Sequence, residues 1–465
     1  MNSINISLIL YAVAMVVGTF IFTNFKETKE SFLVGDRNID ENQCAFSIAA
    51  TWIWAPALFV ASSQAYLKGW QGFTWFFIPN ILTLILCGNL SLKIRERFPN
   101  GYTLPEYMGN FYSRRVKNLY NTEMIILAIL SMAVQFVAGG KILALITGIS
   151  FLKMTILLGI IALSYSLFSG IKASIFTDYL QMILMLAISI GIVPLLVFKT
   201  GGISNIINGL GGINGDYFNL FSENGWNLFL TFGLTTTIGL FSGPVGDQSF
   251  WQRTFTMKKE NIKSAYKKAA IAFAIIPFLM AMIGFSAAGN GFIPSDSGIV
   301  NLEFIIMNMQ PIFVIFFIIM LISGLSSTLD SNLCAVSSIV ATEIKKGKPM
   351  INARISMILL TIAGLLIANV PGMPIVTLFL IYGVLRTSVF ASTVTTILSK
   401  RKYKENNVFY GILFAMLVGV PMFVLGTTFK NQNVSLFATL FTLIFPYIVI
   451  KIGGTAENGK ICIKK

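Results

Sequence analysis

Long uncharged apolar runs recur along the chain and are separated by short segments in which lysine and arginine residues cluster. Most runs are about 20 residues long, the length that an α-helix needs to cross a hydrocarbon core of about 30 Å, and the ninth, 303–344, is long enough to include a short helix before the span. The strands of a membrane β-barrel would instead show alternating segments of about 10 residues. The pattern predicts about 13 transmembrane helices, near residues 4–24, 43–66, 70–92, 119–146, 151–169, 174–198, 227–250, 268–289, 303–344, 353–371, 373–398, 407–428 and 432–451.

The composition agrees with an all-α integral membrane protein. Hydrophobic residues make up 55% of the 465 residues and charged residues only 11%, whereas soluble domains carry about 25% charged residues. The first apolar run lacks the basic flank of a signal peptide, so we expect a retained helix. The chain has no histidine, and its four cysteines form no CxxC pair. The sequence therefore gives no indication of a metal centre, a redox site or an enzyme.

The distribution of basic residues orients the predicted helices. If the N-terminus lies outside, 28 of the 34 lysine and arginine residues fall in inner segments and four in outer segments. This split follows the positive-inside rule, and a missed or extra helix would exchange the sides of every later loop. We therefore expect a multi-pass protein of the plasma (inner) membrane with a cytoplasmic C-terminus. The net charge of +15 then reflects membrane topology and gives no support to nucleic-acid binding.

Two predicted helices carry helix-breaking residues at corresponding positions. With the first helix set aside, the next ten divide into five and five, and the first helix of each half is interrupted. Pro56 lies in "WIWAP", and Gly243 and Pro244 lie in "LFSGPVGDQ". Interrupted helices in matching halves indicate the midplane site of a transporter built from an inverted repeat. The predicted division is 1–42 (extra helix and inner loop), 43–198 (first repeat), 199–226 (external loop), 227–398 (second repeat) and 399–465 (two extra helices and inner tail).

Two of the aspartates that lie within predicted spans, Asp178 and Asp330, have hydroxyl residues nearby in the sequence. Asp178 follows "GIKASIFT", and Asp330 lies in "SGLSSTLDSNLCAVSS". A carboxylate at mid-membrane costs about 2.5–3.5 kcal/mol on insertion scales, so such residues usually face a cavity and act there. Hydroxyls, freed carbonyls and one carboxylate form an oxygen cage suited to a monovalent cation. The alternative is that the hydroxyls bond to their own helix or a neighbouring helix. The hydroxyl residues around Asp330 are Ser323, Ser326, Ser327, Thr328 and Ser331.

Two further charged residues fall in or beside predicted spans. Asp247 follows the second interruption, and pairing with Arg253 would make it either an inner gate or a structural lock. Arg386 lies inside a span, where it is either a salt-bridge partner for one of the aspartates or a side chain that snorkels to the interface.

Several motifs resemble those of one transporter family. "SGLSSTLDSNLCAVSSIVATEI" resembles the ninth-helix signature of the sodium:solute symporter family, which includes bacterial proline, sugar and sialic acid symporters. "FSGIKASIFTDYLQ" and "SFLVGDRNID" resemble two more of its motifs, and the likeness runs from about residue 30 to 400. The resemblance implies a five-plus-five inverted-repeat fold that performs sodium-driven alternating access.

The resemblance also implies the residues that bind sodium. Matching the family's shared sodium site gives backbone carbonyls of Ala50, Ile53 and Gly324 and hydroxyls of Ser327 and Thr328. A second sodium site, present in some members, would use Asp178 with Ser327, Asp330 and Ser331. The family pattern usually has a hydroxyl at the position of Asp330, so the number of ions stays open.

The motifs indicate the transported solute less specifically than they indicate the ion. "TWIWA" and "DQSFWQR" resemble the urea-transporter branch, which favours urea or a small neutral amide or amino acid. Residues near Gly243 and Pro244 lack the aromatic platform of the sugar branch. The expected partners are the solute and the lipid bilayer, with no oligomer required. The residues expected to contact the solute are Trp52, Trp54, Ala57, Gln71, Gln135 and Gln248.

Four alternatives remain at this point. Proton coupling would use a carboxylate such as Asp178 or Asp330 as the titrating group. A passive facilitator would use the same spans without ion coupling, and a sensor of transporter fold would only detect the solute. A sugar or sialic acid symporter is the alternative within sodium coupling.

Overall fold

The computed structural model describes residues 10–18, 28–219, 221–343, 348–371, 375–399 and 401–460. The ends of the predicted first helix and the last residues of the inner tail lie outside this part. The helices are α1 (10–18), α2 (Lys29–Val34), α3 (Glu41–Trp52), α4 (Ala61–Arg97), α5 (Leu104–Phe111), α6 (Arg114–Thr147), α7 (Phe151–Lys199), α8 (Gly202–Gly209), α9 (Glu223–Leu228), α10 (Leu234–Phe241), α11 (Gly243–Gly246), α12 (Gln248–Thr256), α13 (Ile262–Gly289), α14 (Val300–Asn308), α15 (Pro311–Glu343), α16 (Pro349–Ala368), α17 (Ile375–Leu398), α18 (Glu405–Phe414), α19 (Val420–Thr428) and α20 (Gln432–Ile452).

Short segments connect several of these helices. Single π-helical turns at Pro56–Val60, Phe229–Gly233 and Ala415–Gly419 lead into α4, α10 and α19. β1 (Arg401–Tyr403) and β2 (Thr455–Lys460) pair as a small antiparallel ribbon. The prediction of an all-α protein did not anticipate this ribbon. Among the described residues, nine helical segments are long and apolar enough to span a membrane, which confirms a multi-pass membrane protein.

The first predicted interruption is present at the end of α3. Helix α3 ends at Trp52, four residues before Pro56, because a proline ring clashes with the carbonyl four positions earlier in a helix. Ile53 then leaves the helical region with φ −84° and ψ 71°. The N–H of Ala55 donates to the side-chain oxygen of Gln135 on α6 at 2.9 Å. The broken segment therefore has a protein acceptor for a backbone donor that the helix no longer satisfies.

The second predicted interruption is also present. Helix α10 ends at Phe241, the single turn α11 contains Gly243 and Pro244, and Asp247 is extended with φ −114° and ψ 116°. Asp247 caps α12, because its carboxylate accepts from the backbone N–H of Ser249 at 2.8 Å and from its hydroxyl at 2.6 Å. The chain therefore restarts as a helix directly after the break.

Two left-handed glycines divide the longest helices. A straight helix of 37 residues, the length of α4, would measure about 55 Å and exceed the hydrocarbon core. Gly69, with φ 52° and ψ −150°, interrupts α4, and Gly170, with φ 56° and ψ −148°, interrupts α7. A β-carbon at Gly69 would lie 2.2 Å from the carbonyl oxygen of Leu210, so only glycine fits this turn. Both glycines lie near predicted boundaries between adjacent spans.

The interrupted helices pack inside the protein. Helix α15 contacts α7, α6, α3 and α12, and α13 contacts α4 and α3. In α6, α15 and α17, 72% of the most apolar stretch is buried in protein, compared with 28% in α20. Helix α15 is therefore a central element around which the two breaks are arranged, whereas α20 lies at the periphery.

Candidate functional site

The break after α3 meets the middle of α15. A β-carbon at Gly324 would lie 3.2 Å from the carbonyl oxygen of Ile53, so the two backbones are in contact. The Thr328 hydroxyl lies 3.4 Å from the carbonyl oxygen of Thr51 and 3.3 Å from that of Gly324. The carbonyl of Ala50 accepts from the Ile53 N–H at 3.1 Å. Buried carbonyl and hydroxyl oxygens therefore converge here, which is the chemistry that a hard cation requires.

Ser327, one turn along α15 from Gly324, connects this place to Asp178. Its hydroxyl donates to one carboxylate oxygen of Asp178 at 2.6 Å. The other oxygen accepts from the Ser47 hydroxyl on α3 at 2.6 Å and from the Arg253 guanidinium on α12 at 2.7 Å. Asp178 and Arg253 both have fully buried side chains. The aspartate therefore joins α3, α7, α12 and α15.

Asp330 belongs to the same network. Its carboxylate accepts from the hydroxyls of Ser174 at 2.9 Å and Thr177 at 3.1 Å, and lies 3.3 Å from that of Ser331. Arg253 donates to the hydroxyl of Ser331 at 2.6 Å. In their ionised forms, the two carboxylates and one guanidinium carry one net negative charge. A buried network of this composition favours an additional cation.

This arrangement corrects the expected pairing of Arg253. Arg253 pairs with Asp178, and Asp247 instead caps α12 and accepts from the Tyr382 hydroxyl at 3.1 Å. The cap uses one oxygen of the carboxylate and the Tyr382 hydroxyl bonds to the other, so Asp247 links α12 to α17. Among the described residues, the pair of Asp247 with Arg253 that both the inner gate and the structural lock required is therefore absent.

The two breaks touch each other through Trp52. A β-carbon at Gly243 would lie 2.3 Å from the Trp52 ring, so the small residue makes room for the indole. The Trp52 and Trp54 rings stack with centroids 6.4 Å apart, and Trp54 packs on Tyr382 at 5.1 Å. Both tryptophans are at most 3% exposed. Ala57 is buried in the π-helical turn that follows them.

Arg386 lies against these aromatic rings, which contradicts both expectations for it. The side chain is fully buried and therefore does not snorkel. Within the described residues, no acidic side chain lies within 4 Å of its guanidinium. The carbon at its centre lies 5.5 Å from the Trp52 ring, 5.7 Å from the Trp54 ring and 4.6 Å from the Tyr382 ring. The guanidinium is held by cation–π contacts instead of an ion pair.

The three glutamines expected to contact solute bind protein groups in three different places. Gln71 donates to the carbonyl of Asn219, in the segment between α8 and α9. Gln135 holds the Ala55 N–H and donates to the Ser131 carbonyl at 3.3 Å. Gln248 accepts from the backbone of Leu104 at 3.0 Å, beside the loop that precedes α5. Since these groups do not converge, the structure gives no support to a glutamine-lined site.

Sequence reasoning missed two features of the site. It identified Asp178 but not its partner Arg253, and it gave Arg386 no aromatic surroundings. The spacing of Ser47 and Thr51, one helical turn apart before the break, was a signal for a polar face on α3. No comparable signal linked Arg386 to Trp52, because their proximity depends on how α17 packs against α10.

A protein-family model matches most of this chain. The model of the sodium:solute symporter family matches residues 32–419. A probable urea active transporter of Schizosaccharomyces pombe is 23% identical over 56% of this chain, and the match spans 40% of that protein's length. A sodium/pantothenate symporter of Haemophilus influenzae is 25% identical over 98% of this chain and 96% of its own length. The family and these relatives are transporters and not enzymes.

Solved structures show the same fold. A Na⁺-coupled sialic acid symporter in a substrate-bound, outward-open state superposes with a TM-score of 0.79 and 18% identity, over 98% of both chains. The transporter MhsT in complex with L-phenylalanine superposes with a TM-score of 0.60 and 13% identity, over 90% of this chain and 98% of that one. At these identities the likeness shows the fold alone.

Proposed function

The chain belongs to the sodium:solute symporter family, and from this premise we propose that it imports a small polar solute by sodium-coupled alternating access. The observation that carries the proposal is the convergence of the α3 break with α15. Carbonyl oxygens at Ile53 and Gly324 and the Thr328 hydroxyl lie together in a buried place beside the network of Asp178.

The proposed sodium ion joins the two elements that alternating access must move apart. Its ligands are the carbonyls of Ala50, Ile53 and Gly324 and the hydroxyls of Ser327 and Thr328. The ion replaces the weak contacts of the Thr328 hydroxyl, which are 3.3–3.4 Å long. Binding would fix the broken helix against α15 and so order Trp52 and Trp54. Sodium and solute are thereby coupled through a shared helix end.

A second ion would lie beside Asp178, Asp330 and Ser331. The support is that a single guanidinium faces two buried carboxylates, so the network would carry one net negative charge with both carboxylates ionised. The same network could instead take a proton on one carboxylate, which is the proton-coupled alternative. The two versions differ in whether the driving cation must be sodium.

The solute would contact Trp52, Trp54 and Ala57, close to the gap between the two breaks. The relatives' names include urea and pantothenate, so they support a small polar solute without choosing one. Because the matched part of the urea transporter is 40% of its length, its substrate is no more than a candidate here. Urea and small neutral amides or amino acids are the solutes that the tryptophan-rich motif favours.

The remaining expectations are proposals of the same kind. We place the protein in the plasma (inner) membrane with its N-terminus outside and its C-terminus cytoplasmic, on the basis of the basic residues alone. Thirteen spans, with inverted repeats at 43–198 and 227–398, fit the positions of the breaks and of the glycine turns. The site described lies within one chain, so transport would not require an oligomer.

Sodium binding is testable without knowledge of the solute. Sodium chloride should raise the thermal stability of the purified protein relative to choline chloride, since an ion that binds only the native state stabilises it by about 2.7 kcal/mol at 100 times its dissociation constant. Thr328→Ala should shift this response to higher sodium concentrations. Thr439→Ala is the matched control, because Thr439 is buried and bonds to its own helix in α20. Equal thermal stability in sodium chloride and choline chloride for all three proteins would refute the proposed sodium site.

A further inference from the structure

The middle of α17 holds a buried cation whose bonding capacity is mostly unused. Arg386 lies eleven residues after Ile375, about 16 Å along the helix, and is fully buried. Its Nε donates to the carbonyl of Gly239 on α10 at 2.8 Å. In the described part of the chain, neither terminal nitrogen of the guanidinium has a hydrogen-bond partner. Such a group is costly to bury unless another group compensates its charge.

The nearest acidic residue is engaged elsewhere. Asp247 accepts from the backbone and side chain of Ser249 and from the Tyr382 hydroxyl. It therefore reaches the neighbourhood of Arg386 only through the Tyr382 ring, which lies 4.6 Å from the guanidinium. Aromatic contacts orient the guanidinium but do not neutralise it. Among the described residues, no carboxylate thus pairs directly with the guanidinium, and the charge of Asp247 acts on it only from beyond ion-pair distance.

Two further donors, the indole N–H groups of Trp52 and Trp54, lie beside Arg386. The indole nitrogens of Trp52 and Trp54 are buried and have no hydrogen-bond partner among the described residues. An indole N–H only donates, and a guanidinium only donates. The guanidinium and the two indole N–H groups all donate hydrogen bonds, so a ligand group that only accepts hydrogen bonds fits them. A carboxylate meets this condition and matches the planar fork of arginine, whereas urea would bring four N–H donors of its own.

The external approach has the matching charge. A cavity of about 710 Å³ lies between the π-helical turn before α10, the start of α17 and the end of α19. Lys68 and Lys430 are among its described lining residues, and none of those residues is acidic. Leu380, also on its wall, is six residues before Arg386 on α17, about 9 Å along the helix. The positive charges of Lys68 and Lys430 would raise the local concentration of anions in this cavity.

We propose that Arg386 binds a carboxylate group of the transported solute, with the indole N–H groups of Trp52 and Trp54 as additional donors. The inference rests on the proposed function, because it identifies the solute class of the same site. It narrows the solute from any small polar molecule to one that carries a carboxylate. One sodium ion would then balance the charge of the solute, and a second ion would make transport electrogenic.

Matched pairs of a carboxylate and its primary amide test this assignment. Lactate with lactamide, benzoate with benzamide, and nicotinate with nicotinamide differ in the acceptor-only group alone, and urea is the neutral reference. The readout is the thermal shift of the purified protein in sodium chloride. At least one carboxylate should stabilise the protein at concentrations about tenfold or more below those of its amide, which corresponds to the contribution of one charged hydrogen bond.

Variants separate binding from folding. Arg386→Gln should lose the carboxylate shift, and Arg386→Lys should weaken it, because an ammonium lacks the bidentate fork. Both variants should keep the sodium shift, and the ligand-free melting temperature of Arg386→Gln should be unchanged or raised, since a buried unpaired charge is removed. Arg97→Gln, at the inner end of α4, is the control and should behave as the parent protein.

Three results would overturn the proposal. They are a carboxylate shift that survives in Arg386→Gln, equal or stronger shifts by the amides or urea, and a panel in which no carboxylate shifts the parent protein. A protein that responds to carboxylates but not to sodium would refute the sodium coupling and leave the assignment of Arg386 standing.

Discussion

Replacing Arg253 with methionine removes the cation of the network that joins α3, α7, α12 and α15, in which the described residues provide no second one. The guanidinium donates to the Ser47 hydroxyl at 2.7 Å, the Ser249 carbonyl at 3.0 Å, Asp178 at 2.7 Å and the Ser331 hydroxyl at 2.6 Å. Its removal leaves two buried carboxylates without a counter-ion. Breaking a buried pair from one side costs about 3–5 kcal/mol, and we expect this loss for Arg253→Met.

Removing the carboxylate partner of Arg253 should destabilise the protein less than removing Arg253 itself. Asp178→Asn removes one of the two carboxylates and leaves Arg253 beside Asp330, to which it is linked by the hydroxyls of Ser174 and Ser331. The expected loss is about 1–3 kcal/mol, the cost of unpaired polar groups. The double variant should be more stable than the sum of the two losses predicts, because the remaining carboxylate no longer faces a second one.

The free energy of unfolding is measured by titrating SDS into mixed micelles, with the apparent melting temperature as a second readout. Arg401→Met is the control, since Arg401 is exposed in β1 and should change stability by no more than about 0.5 kcal/mol. A loss below about 1 kcal/mol for Arg253→Met would refute the reasoning, as would a loss for Asp178→Asn that exceeds it.

Three further substitutions test the elements that support the site. Gly69→Ala should destabilise the protein by at least about 1–2 kcal/mol in the same titration, because its β-carbon would meet the Leu210 carbonyl at 2.2 Å in a left-handed turn; a neutral result would contradict the turn. Gln135→Leu should cost about 1–3 kcal/mol by leaving the Ala55 N–H without its acceptor, and Gln135→Glu, which keeps an acceptor, should cost less. Asp296→Asn should lower stability by less than about 1 kcal/mol at neutral pH. Burial alone would raise the pKa of Asp296, but Lys141 at 2.8 Å and the Gly298 N–H lower it overall. The stabilisation by the Asp296 carboxylate is therefore fully present above the ordinary carboxyl pKa and is lost as the pH falls through the lowered pKa. An effect of Asp296→Asn on stability that persisted in acid would contradict this ion pair.

The elements of this fold that local chemistry determines could be predicted from the sequence. Pro56 excludes a helix across its own position, so the end of α3 at Trp52 follows from one residue. Pro244 marks the second break for the same reason, and Gly243 adds to it because glycine disfavours a helix through its backbone freedom. The wealth of hydroxyls around Asp330 predicted a polar network, and the structure places Ser327 and Ser331 in it.

The partners of buried charges could not be predicted in this way. Arg253 is 75 positions from Asp178, and the sequence gives no rule that prefers this carboxylate over Asp247, six residues before it. Arg386 reaches Trp52 and Trp54 because Gly239 and Gly383 allow close packing of α10 and α17: a β-carbon at Gly239 would lie 3.1 Å from the α-carbon of Gly383. Gln71 faces the segment between α8 and α9 because of the turn at Gly69, which also depends on tertiary packing.

Accumulation of solute against its own gradient tests sodium-coupled symport most directly. Proteoliposomes would be given an inward sodium gradient and a radiolabelled form of whichever panel compound stabilises the purified protein most. The internal concentration should rise above the external one, fall to equilibrium when choline replaces sodium, and show this loss in Thr328→Ala but not in Thr439→Ala. Uptake that stops at equilibrium in sodium, or that is driven in choline by external acidification alone, would contradict the account.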